Sequence, residues 1–522
     1  MTNDNISLEN YNNDPCPGDD NELFDETTLP STTKSLLKDS DTSVTLDYMK
    51  SNSKRSDTIC EEILEILGSF NPYSLFIMLT MATLWGLAAM NLMISAFLVD
   101  PIYAQNSSKS IFSTFNLTDN NSHLANLFSS SFMFGSVFGG AIVPVLADYF
   151  GRKINVAWCT FIIGAAGCVI SFVDKYYLIL VLRFIQGFAL HGTISTNWVL
   201  SYESVSVQIR SFSALVFGIL WVVGYCIIAP LAYYFTDWRY LCFFTALPSL
   251  IFSFIIFLSV PESLNFLINR KKMKEIKNWL KNNKKFSKLF GKVKFPNTDN
   301  LLRNISTCED EPTIQNQETL SSGERMVKFF KTQKLLLLYI FIFTFIWATD
   351  TVIYYVLSFF STNLSGNMYI NYVLSGLIEC PSYLVVPLFL DYLGRRGLTF
   401  LMHFITSIAL FLGVIIGQDK HIIYLLIWLV GKFCISCTFT SIFVYGSEIF
   451  PTSHRNTCLG ICAVISRLGG VIAPYSKNLD TIWPKLSIVL FASMSLIAAL
   501  LSLVLPETGK IKSLIRKKKE NF

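Results

Sequence analysis

About twelve stretches of this chain are predominantly apolar over roughly 18 to 25 residues each, the length that a helix needs to cross a hydrocarbon core of about 30 Å. The composition agrees, since 52% of the 522 residues are hydrophobic and only 15% are charged. Lipid offers backbone amides no hydrogen-bonding partner, so each stretch has to be helical. The sequence therefore predicts an all-α membrane protein with twelve transmembrane helices.

The predicted spans fall into two groups of six, separated by a polar segment. The first six lie near residues 73–99, 124–146, 156–172, 176–202, 212–235 and 240–260, and form a bundle over 73–260. The other six lie near residues 335–360, 369–390, 398–416, 422–449, 458–475 and 486–505, and form a bundle over 335–505. Outside the bundles we predict a disordered acidic tail at 1–72, a loop at 99–124, a basic linker at 261–334 and a basic tail at 506–522. The spans are numbered first to twelfth in chain order.

Charges and glycosylation sequons distinguish the two sides of the membrane. The loops after even-numbered spans carry clustered Lys and Arg, and we call their side the basic side; the opposite side is the sequon side. By the positive-inside rule the basic side and both termini are expected to be cytoplasmic. The expected location is the plasma membrane. The sequons on the other side, which we expect to be glycosylated, are Asn106, Asn116, Asn120 and Asn363.

Three short phrases occur twice at nearly constant separation. PVLADYFGRK at residues 144–153 returns as PLFLDYLGRR at residues 387–396, a shift of 387 − 144 = 243 residues. Glu203 returns as Glu448, a shift of 448 − 203 = 245 residues, and PES after the sixth span returns as PET after the twelfth. The chain therefore contains two copies of a six-span unit. This is the plan of major facilitator transporters, whose parallel halves hold substrate between them near the midplane.

The repeated residues include acids and bases that can pair at the basic side. An Asp closes the second and the eighth span, Arg or Lys follows it, and a Glu lies at the end of the fourth and the tenth. We interpret them as a cytoplasmic gate whose charge pairs close one conformation and break in the other; the alternative is that they only set topology. The gate comprises Asp148, Arg152, Lys153, Glu203, Arg210, Asp391, Arg395, Arg396, Glu448 and Arg455.

Several stretches resemble one family closely. They are YGSEIFPTSHRNTCLG with ISRLGGVIAPY over residues 445–475, APLAYYFTDWRYL over 229–241 and ECPSY over 379–383. Through them the chain is identified as a member of the organic ion transporter family, the organic cation, organic anion and carnitine transporters of the major facilitator superfamily. The resemblance implies transport by alternating access. The chain departs from the family in the loop after the first span, which is short and contains no Cys.

Arg467 bears most directly on substrate charge. It lies within the eleventh span on one helical face with Gly470 and Pro474, so small residues frame a guanidinium that can hold a carboxylate or sulfonate by two hydrogen bonds. Family members that carry cations typically have an acid here, so the resemblance implies organic anions or zwitterions such as carnitine. The alternative is that Arg467 pairs internally with Asp350 or Glu379.

Other polar and aromatic residues inside the spans are predicted to contact substrate. On the seventh span Trp347, Asp350 and Tyr354 share one face, and the resemblance places Trp347, Tyr354 and Tyr355 on the cavity wall. Asp350 could receive an ammonium group, carry a coupling proton or neutralise Arg467. The remaining predicted contacts are Trp221, Glu379, Tyr383, Lys432 and Phe439, of which Lys432 and Phe439 match cavity positions of family members that handle anions.

Other function classes lack the residues they need. The sequence has no phosphate-binding glycine loop, no nucleophile elbow and no metal-ligand spacing, so we expect no enzyme activity, no cofactor and no metal. The basic run at 270–294 predicts amphipathic helices on the anionic cytoplasmic leaflet and not a nucleic-acid site. The expected partners are a small organic ion, the lipid bilayer and a coupling ion, open between proton, sodium and counter-anion. The alternatives are an organic cation or sugar-like carrier, and a non-transporting sensor or scaffold.

Overall fold

The computed structural model describes residues 60–68, 70–107, 109–117, 119–290, 334–417, 419–450 and 455–509. Within these ranges the chain is predominantly helical and has no β-strand, apart from one isolated bridge between Lys109 and Asp237. Most of the predicted acidic tail (1–59), much of the linker (291–333) and the basic tail from residue 510 lie outside the described residues.

The six spans of the first half lie close to their predicted positions. Their helices are Pro72–Met93, Leu127–Phe150, Arg152–Ile170, Tyr176–Tyr202, Arg210–Tyr234 and Trp238–Ser259, and a short helix, Ser95–Leu98, extends the first. Side chains cap some of their first amides, which have no partner inside the helix: the Asn71 side chain accepts from the Tyr73 amide, and that of Asp237 from the Arg239 amide.

The second half repeats this order. Its helices are Lys334–Phe359, Met368–Leu377, Glu379–Ile416, His421–Ile449, Arg455–Ile472 and Leu486–Ser502. Glu379–Ile416 is broken at Gly394, whose φ of 74° is not helical, so it contains the end of the eighth span and the ninth. Ten stretches in the described ranges are long and apolar enough to cross a membrane; one of them, Met368–Ile416, holds two spans, and Leu486–Ser502 is a shorter apolar helix. The predicted twelve-helix architecture is therefore confirmed.

Helix packing follows the same rule in each half. The first span packs on the fifth and the third on the sixth, and likewise the seventh packs on the eleventh and the ninth on the twelfth. The halves meet through the second and eleventh spans and through the fifth and eighth. Adding six to each span number converts the first set of pairs into the second, which is the relation expected of two parallel repeats.

The second and fourth spans pack so closely that glycine is required between them. A Cβ atom at Gly139 would overlap the carbonyl oxygen of Phe188, and one at Gly187 would overlap that of Phe132. The overlapped atoms belong to backbone, which cannot turn aside as a flexible side chain can. These glycines therefore fix how the two helices approach.

We expect Gly139→Ala to lower the unfolding free energy by about 1–3 kcal/mol, because the added methyl group forces the two helices apart. Thermal melting of the purified protein measures this. Gly460→Ala is the matched control: nothing lies within 4 Å of a Cβ at that helical position, so replacing glycine by a better helix former leaves stability unchanged or raises it. Equal melting temperatures for Gly139→Ala and wild type would contradict the close packing.

On the sequon side, the two halves share one apolar core. Phe97 of the first half contacts the ring of Tyr372 in the second at 4.8 Å between centroids, and Tyr225 stacks on Tyr372 at 4.5 Å. The Thr362 hydroxyl donates to the Ala96 carbonyl oxygen at 3.3 Å. Contacts of this kind have to separate before the sequon side can open.

On the basic side, each half has its own apolar core. One cluster, around Met81, Phe217 and Trp279, consists of residues of the first half and the adjoining segments. Another, around Phe343 and Tyr445, consists of residues of the second half. The halves are therefore joined at the sequon side and packed separately at the basic side, as in one end state of an alternating-access cycle.

The basic run after the sixth span forms a helix, Met273–Phe290, but its apolar face does not lie on lipid as predicted. Ile276, Trp279 and Leu280 are buried against the first half, with the Trp279 ring 5.7 Å from that of Tyr73. Its lysines face outward. The prediction of an amphipathic helix is correct, and its assignment to the membrane surface is wrong for the apolar face, because the protein itself supplies the covering surface.

Candidate functional site

The repeated charges of the first half form a compact network at the basic side. The Arg152 guanidinium pairs with the Glu203 carboxylate. Glu262, the acid of PES, accepts hydrogen bonds from the backbone amides of Arg152 and Lys153 at 2.9 and 3.0 Å. Because the amides at a helix start have no partner within the helix, this carboxylate caps the third span.

The second half builds the same network from the equivalent residues. Arg395 donates two hydrogen bonds to the Glu448 carboxylate, from Nε at 2.9 Å and from Nη2 at 3.2 Å. Glu507, the acid of PET, accepts from the backbone amides of Arg395 and Arg396 at 2.9 and 3.1 Å. The capping role of these two acids is a structural finding that the sequence reasoning missed, although their repetition pointed to a shared task.

The other predicted gate residues lie around these networks. Asp148 is exposed and 3.8 Å from Arg152, Asp391 is exposed, and Arg210 pairs with Glu61 at 2.9 Å. Arg455 is half-buried at the start of the eleventh span. Both main ion pairs connect helices of a single half, so in this conformation they stiffen the basic end of each half.

Near the midplane, a hydrogen-bonded chain runs from the first half into the second. The Trp221 indole nitrogen donates to the Tyr354 hydroxyl at 3.0 Å, and that hydroxyl donates to Glu379 at 3.1 Å. Phe439 stacks on the Tyr354 ring, 5.4 Å between centroids. We call Trp221, Tyr354, Glu379, Lys432 and Phe439 the central cluster; all five were predicted as substrate contacts, and the structure brings them together.

Lys432 and Glu379 form a buried ion pair within the central cluster. The Lys432 ammonium lies 2.8 Å from a Glu379 carboxylate oxygen, and their side chains are 0% and 1% exposed. The ammonium also donates to the Ser358 hydroxyl at 2.6 Å and lies 3.4 Å from the centroid of the Tyr354 ring. Ser358 was not predicted, although its place one turn after Tyr354 on the seventh span was visible in the sequence.

Asp350 and Trp347 are directed away from the central cluster. Asp350 accepts a hydrogen bond from the Thr438 hydroxyl and lies 3.4 Å from the His403 imidazole. Trp347 packs within the apolar core of the second half, 5.0 Å from the Phe443 ring. Trp347, Asp350 and Tyr354, which the sequence places on one helical face, therefore lie in three different environments. The reason is that other helices surround this span on several sides.

Arg467 stands apart from both intramembrane carboxylates. Its guanidinium lies beside Gly140 of the second span, where any side chain would overlap it, and within electrostatic range of Tyr355 and His191. Within the described part of the chain, no residue forms an ion pair or a side-chain hydrogen bond with it. Glu379 is committed to Lys432, and Asp350 to Thr438 and His403.

Further aromatic residues of the first half were missed by the sequence reasoning. Trp85 lies 6.1 Å from Trp221 and 5.7 Å from Trp198 between ring centroids, and its nitrogen donates to Asn197 at 3.2 Å. Tryptophan prefers the membrane interfaces, so one deep inside a span is a usable signal for a lined interior. On the facing half, Tyr383 packs where a side chain at residue 218 would otherwise lie.

The sequon side carries a small cleft between the halves, lined in part by Asp100 and Asn363. The Asn363 amide contacts the Lys477 ammonium and the Thr362 hydroxyl there, whereas Asn116 is exposed. The side chains of the other two predicted glycosylation sites, Asn106 and Asn120, lie outside the described residues.

Comparison with known proteins places the chain in a family. A model of the Major Facilitator Superfamily matches residues 74–474. A Caenorhabditis elegans protein named as a transporter, B0252.3, is 32% identical over 89% of this chain and 92% of its own. The organic cation transporter protein of Drosophila melanogaster is 28% identical (75% of this chain, 70% of its own), and organic anion transporter 3 of Oryctolagus cuniculus is 26% identical (78% and 73%).

One solved structure with a similar fold is an inward open conformation of the xylose transporter XylE from E. coli. It aligns with a TM-score of 0.60 at 18% identity, covering 84% of this chain and 97% of that one. The fold and the relatives named above are those of transporters and not of enzymes. The chain therefore belongs to the Major Facilitator Superfamily and, within it, to the organic ion transporters.

Proposed function

We propose that this protein carries small organic anions, or zwitterions such as carnitine, by alternating access, with Arg467 as the residue that recognises the substrate's negative charge. The observation that supports this most strongly is the isolation of Arg467: both intramembrane acids of the second half have other partners. Arg467 is partly buried, and a cation without a counter-charge is costly in a membrane interior, so a bound anion would relieve that cost.

The chemistry of the guanidinium suits this task. Its planar fork can donate two parallel hydrogen bonds to a carboxylate, which a point charge cannot do. Gly140 leaves it room on the second span, and Gly470 lies one turn along its own helix. The central cluster would hold the organic part of the substrate, because Trp221, Tyr354 and Phe439 offer aromatic surface beside a neutral ion pair.

The remaining predicted contacts complete the proposed site. Tyr355 and Tyr383 would contact substrate directly. Trp347 and Asp350 would support the seventh span from behind, since both face the second half's interior in this conformation. For carnitine, the aromatic rings beside Glu379 would also receive the trimethylammonium group.

In the proposed cycle, the two halves move as rigid bodies between two arrangements. In the arrangement described here the sequon side is closed, and substrate would enter or leave at the basic side. We propose that the basic side and both termini are cytoplasmic, that the protein lies in the plasma membrane, and that the exposed Asn116 is glycosylated. The gate residues would hold each half rigid here, and their exposed members, Asp148 and Asp391, would meet the opposite half when the basic side closes.

Uptake into proteoliposomes tests the function. The panel is one aromatic carboxylate, carnitine and one organic cation, with wild type, Arg467→Ala and the control Arg270→Ala, whose side chain is exposed at the basic side. We expect wild type and the control to take up the carboxylate or carnitine, and Arg467→Ala to lose this uptake. Uptake of the cation at the same rate by wild type and Arg467→Ala would overturn the substrate class. Failure of wild type to take up any of the compounds would favour a sensor or scaffold.

A further inference from the structure

A second polar cluster lies behind the central cluster. Asp350 of the seventh span, His403 of the ninth, Thr438 of the tenth and Ser495 of the twelfth meet there, with Asp350 and His403 both 0% exposed. Oδ1 of Asp350 lies 3.4 Å from Nε2 of His403, and Nδ1 of His403 lies 3.3 Å from the Ser495 hydroxyl. Within the described residues, Oδ2 of Asp350 has no hydrogen-bond partner.

Within the described part of the chain, no Lys or Arg side chain pairs with Asp350, so a proton is the means of balancing its charge that the cluster itself offers. Lys432, the ionisable residue of the tenth span nearest the midplane, is bound to Glu379, and the twelfth span, Leu486–Ser502, has no ionisable side chain. The other titratable groups on the surrounding helices are Tyr354 and Tyr355 within the seventh span, the thiols of Cys434 and Cys437 within the tenth, and residues nearer the ends of the spans: Lys334, Tyr339, Arg395, Arg396, His421, Tyr424, Tyr445 and Glu448. None of these supplies a cation to Asp350.

We propose that Asp350 and His403 form a proton-binding site that takes up and releases one proton during transport. With the proton bound, on either group, the pair is neutral overall; without it, a carboxylate remains buried among neutral groups. A negative charge in so apolar a place is unfavourable, so loss of the proton biases the packing of the spans that enclose it. This inference rests on the proposed function, and it identifies the proton as the coupling ion of that transport.

The proton-binding site is connected to the central cluster through the seventh and tenth spans. Asp350, Tyr354 and Ser358 follow one another at four-residue steps on the seventh span, so they lie along one side of the helix. Thr438 holds Asp350 from the tenth span, and Lys432 holds Ser358 from the same span. A change in the proton site therefore acts on the two helices that position Tyr354 and Lys432 in the central cluster.

The first test needs no substrate. The chain has five His, so nitrogen NMR of histidine-labelled protein in lipid nanodiscs can follow each imidazole, and His403→Gln identifies the signal of His403. We expect that signal to change in a single proton step when pH is varied in wild type, and to be insensitive to pH in Asp350→Asn. A His403 signal that does not change with pH in wild type would overturn the proton site, whatever the protein transports.

The second test is transport under an imposed proton gradient. With the vesicle interior one pH unit more alkaline, we expect wild type to accumulate substrate up to about tenfold more than without a gradient, the ratio that one coupled proton supplies. His403→Gln should still exchange labelled for unlabelled substrate but show no stimulation. His421→Gln, at the exposed start of the tenth span, is the matched control and should behave like wild type. Full stimulation in His403→Gln would overturn the proposal.

Discussion

Replacing Lys432 by Met is expected to lower the free energy of unfolding by about 3–5 kcal/mol, the largest effect on stability that the structure indicates for one side chain. The ammonium and its partner Glu379 are almost completely buried. Removing one partner leaves the other as a charge, or as an unsatisfied acid, in a buried position. Thermal melting in lipid nanodiscs measures the loss.

The double variant Lys432→Met with Glu379→Gln separates the effect of the two charges on stability from the effect of side-chain packing. It removes both charges, so we expect it to recover most of the stability that either single change loses, and the double-mutant cycle gives the coupling energy directly. Lys272→Met is the matched control: Lys272 pairs with Glu275 at 3.0 Å, but both side chains are about half exposed, so we expect a change of at most about 0.5 kcal/mol. A Lys432→Met protein that melts like wild type would contradict the buried pair.

Arg467→Lys is expected to weaken binding of a carboxylate substrate by about tenfold, and Arg467→Gln by about ten- to one-hundredfold. Lys keeps the positive charge but loses the two-pronged geometry, whereas Gln loses both, and hydrogen bonds to charged groups contribute about 1.5–3 kcal/mol each. Concentration-dependent uptake in proteoliposomes gives these ratios. The ordering, wild type then Lys then Gln, separates recognition by geometry from recognition by charge alone.

Two results would count against this role for Arg467. Equal losses in Arg467→Lys and Arg467→Gln would mean that the shape of the side chain matters and its charge does not. Unchanged affinity in both variants would place the substrate elsewhere. Melting temperatures of all variants, measured in parallel, separate a loss of binding from a loss of folded protein.

The twelve spans were predictable because a helix in lipid must be long and apolar. The first was expected at 73–99 and forms Pro72–Met93 with its extension Ser95–Leu98. The repeat of the charged phrases was equally visible. It indicated that Asp148 and Asp391 pair with the bases that follow them and that Glu203 and Glu448 can join, whereas the close pairs are those of Glu203 with Arg152 and Glu448 with Arg395. What the phrases did not reveal was the capping by Glu262 and Glu507, since a loop acid can have many partners.

The central cluster was predicted residue by residue, but its pairing was not. The sequence suggested that Glu379 or Asp350 could neutralise Arg467, whereas Glu379 pairs with Lys432. Position around the bundle explains the outcome: Lys432 reaches Glu379 within the second half, whereas the eleventh span packs on the second span, and the Arg467 guanidinium lies beside Gly140 there.

Helical periodicity failed where a helix has protein on every side. Trp347, Asp350 and Tyr354 share a face by spacing, yet they reach the second half's core, His403 and the central cluster respectively. Periodicity orders the residues around a helix but does not identify which neighbour each one meets. His403 was overlooked for the same reason, since its partner lies on a helix distant in sequence.

Uptake of one organic carboxylate and one organic cation by wild type and by Arg467→Asp, in the same proteoliposome preparation, tests the role of Arg467 most directly. We expect wild type to take up the carboxylate, and we expect reversal of the charge to abolish this uptake while leaving the protein folded. Carboxylate uptake that survives the reversal, in protein that melts like wild type, would contradict the assignment of Arg467 as the residue that recognises the substrate's charge.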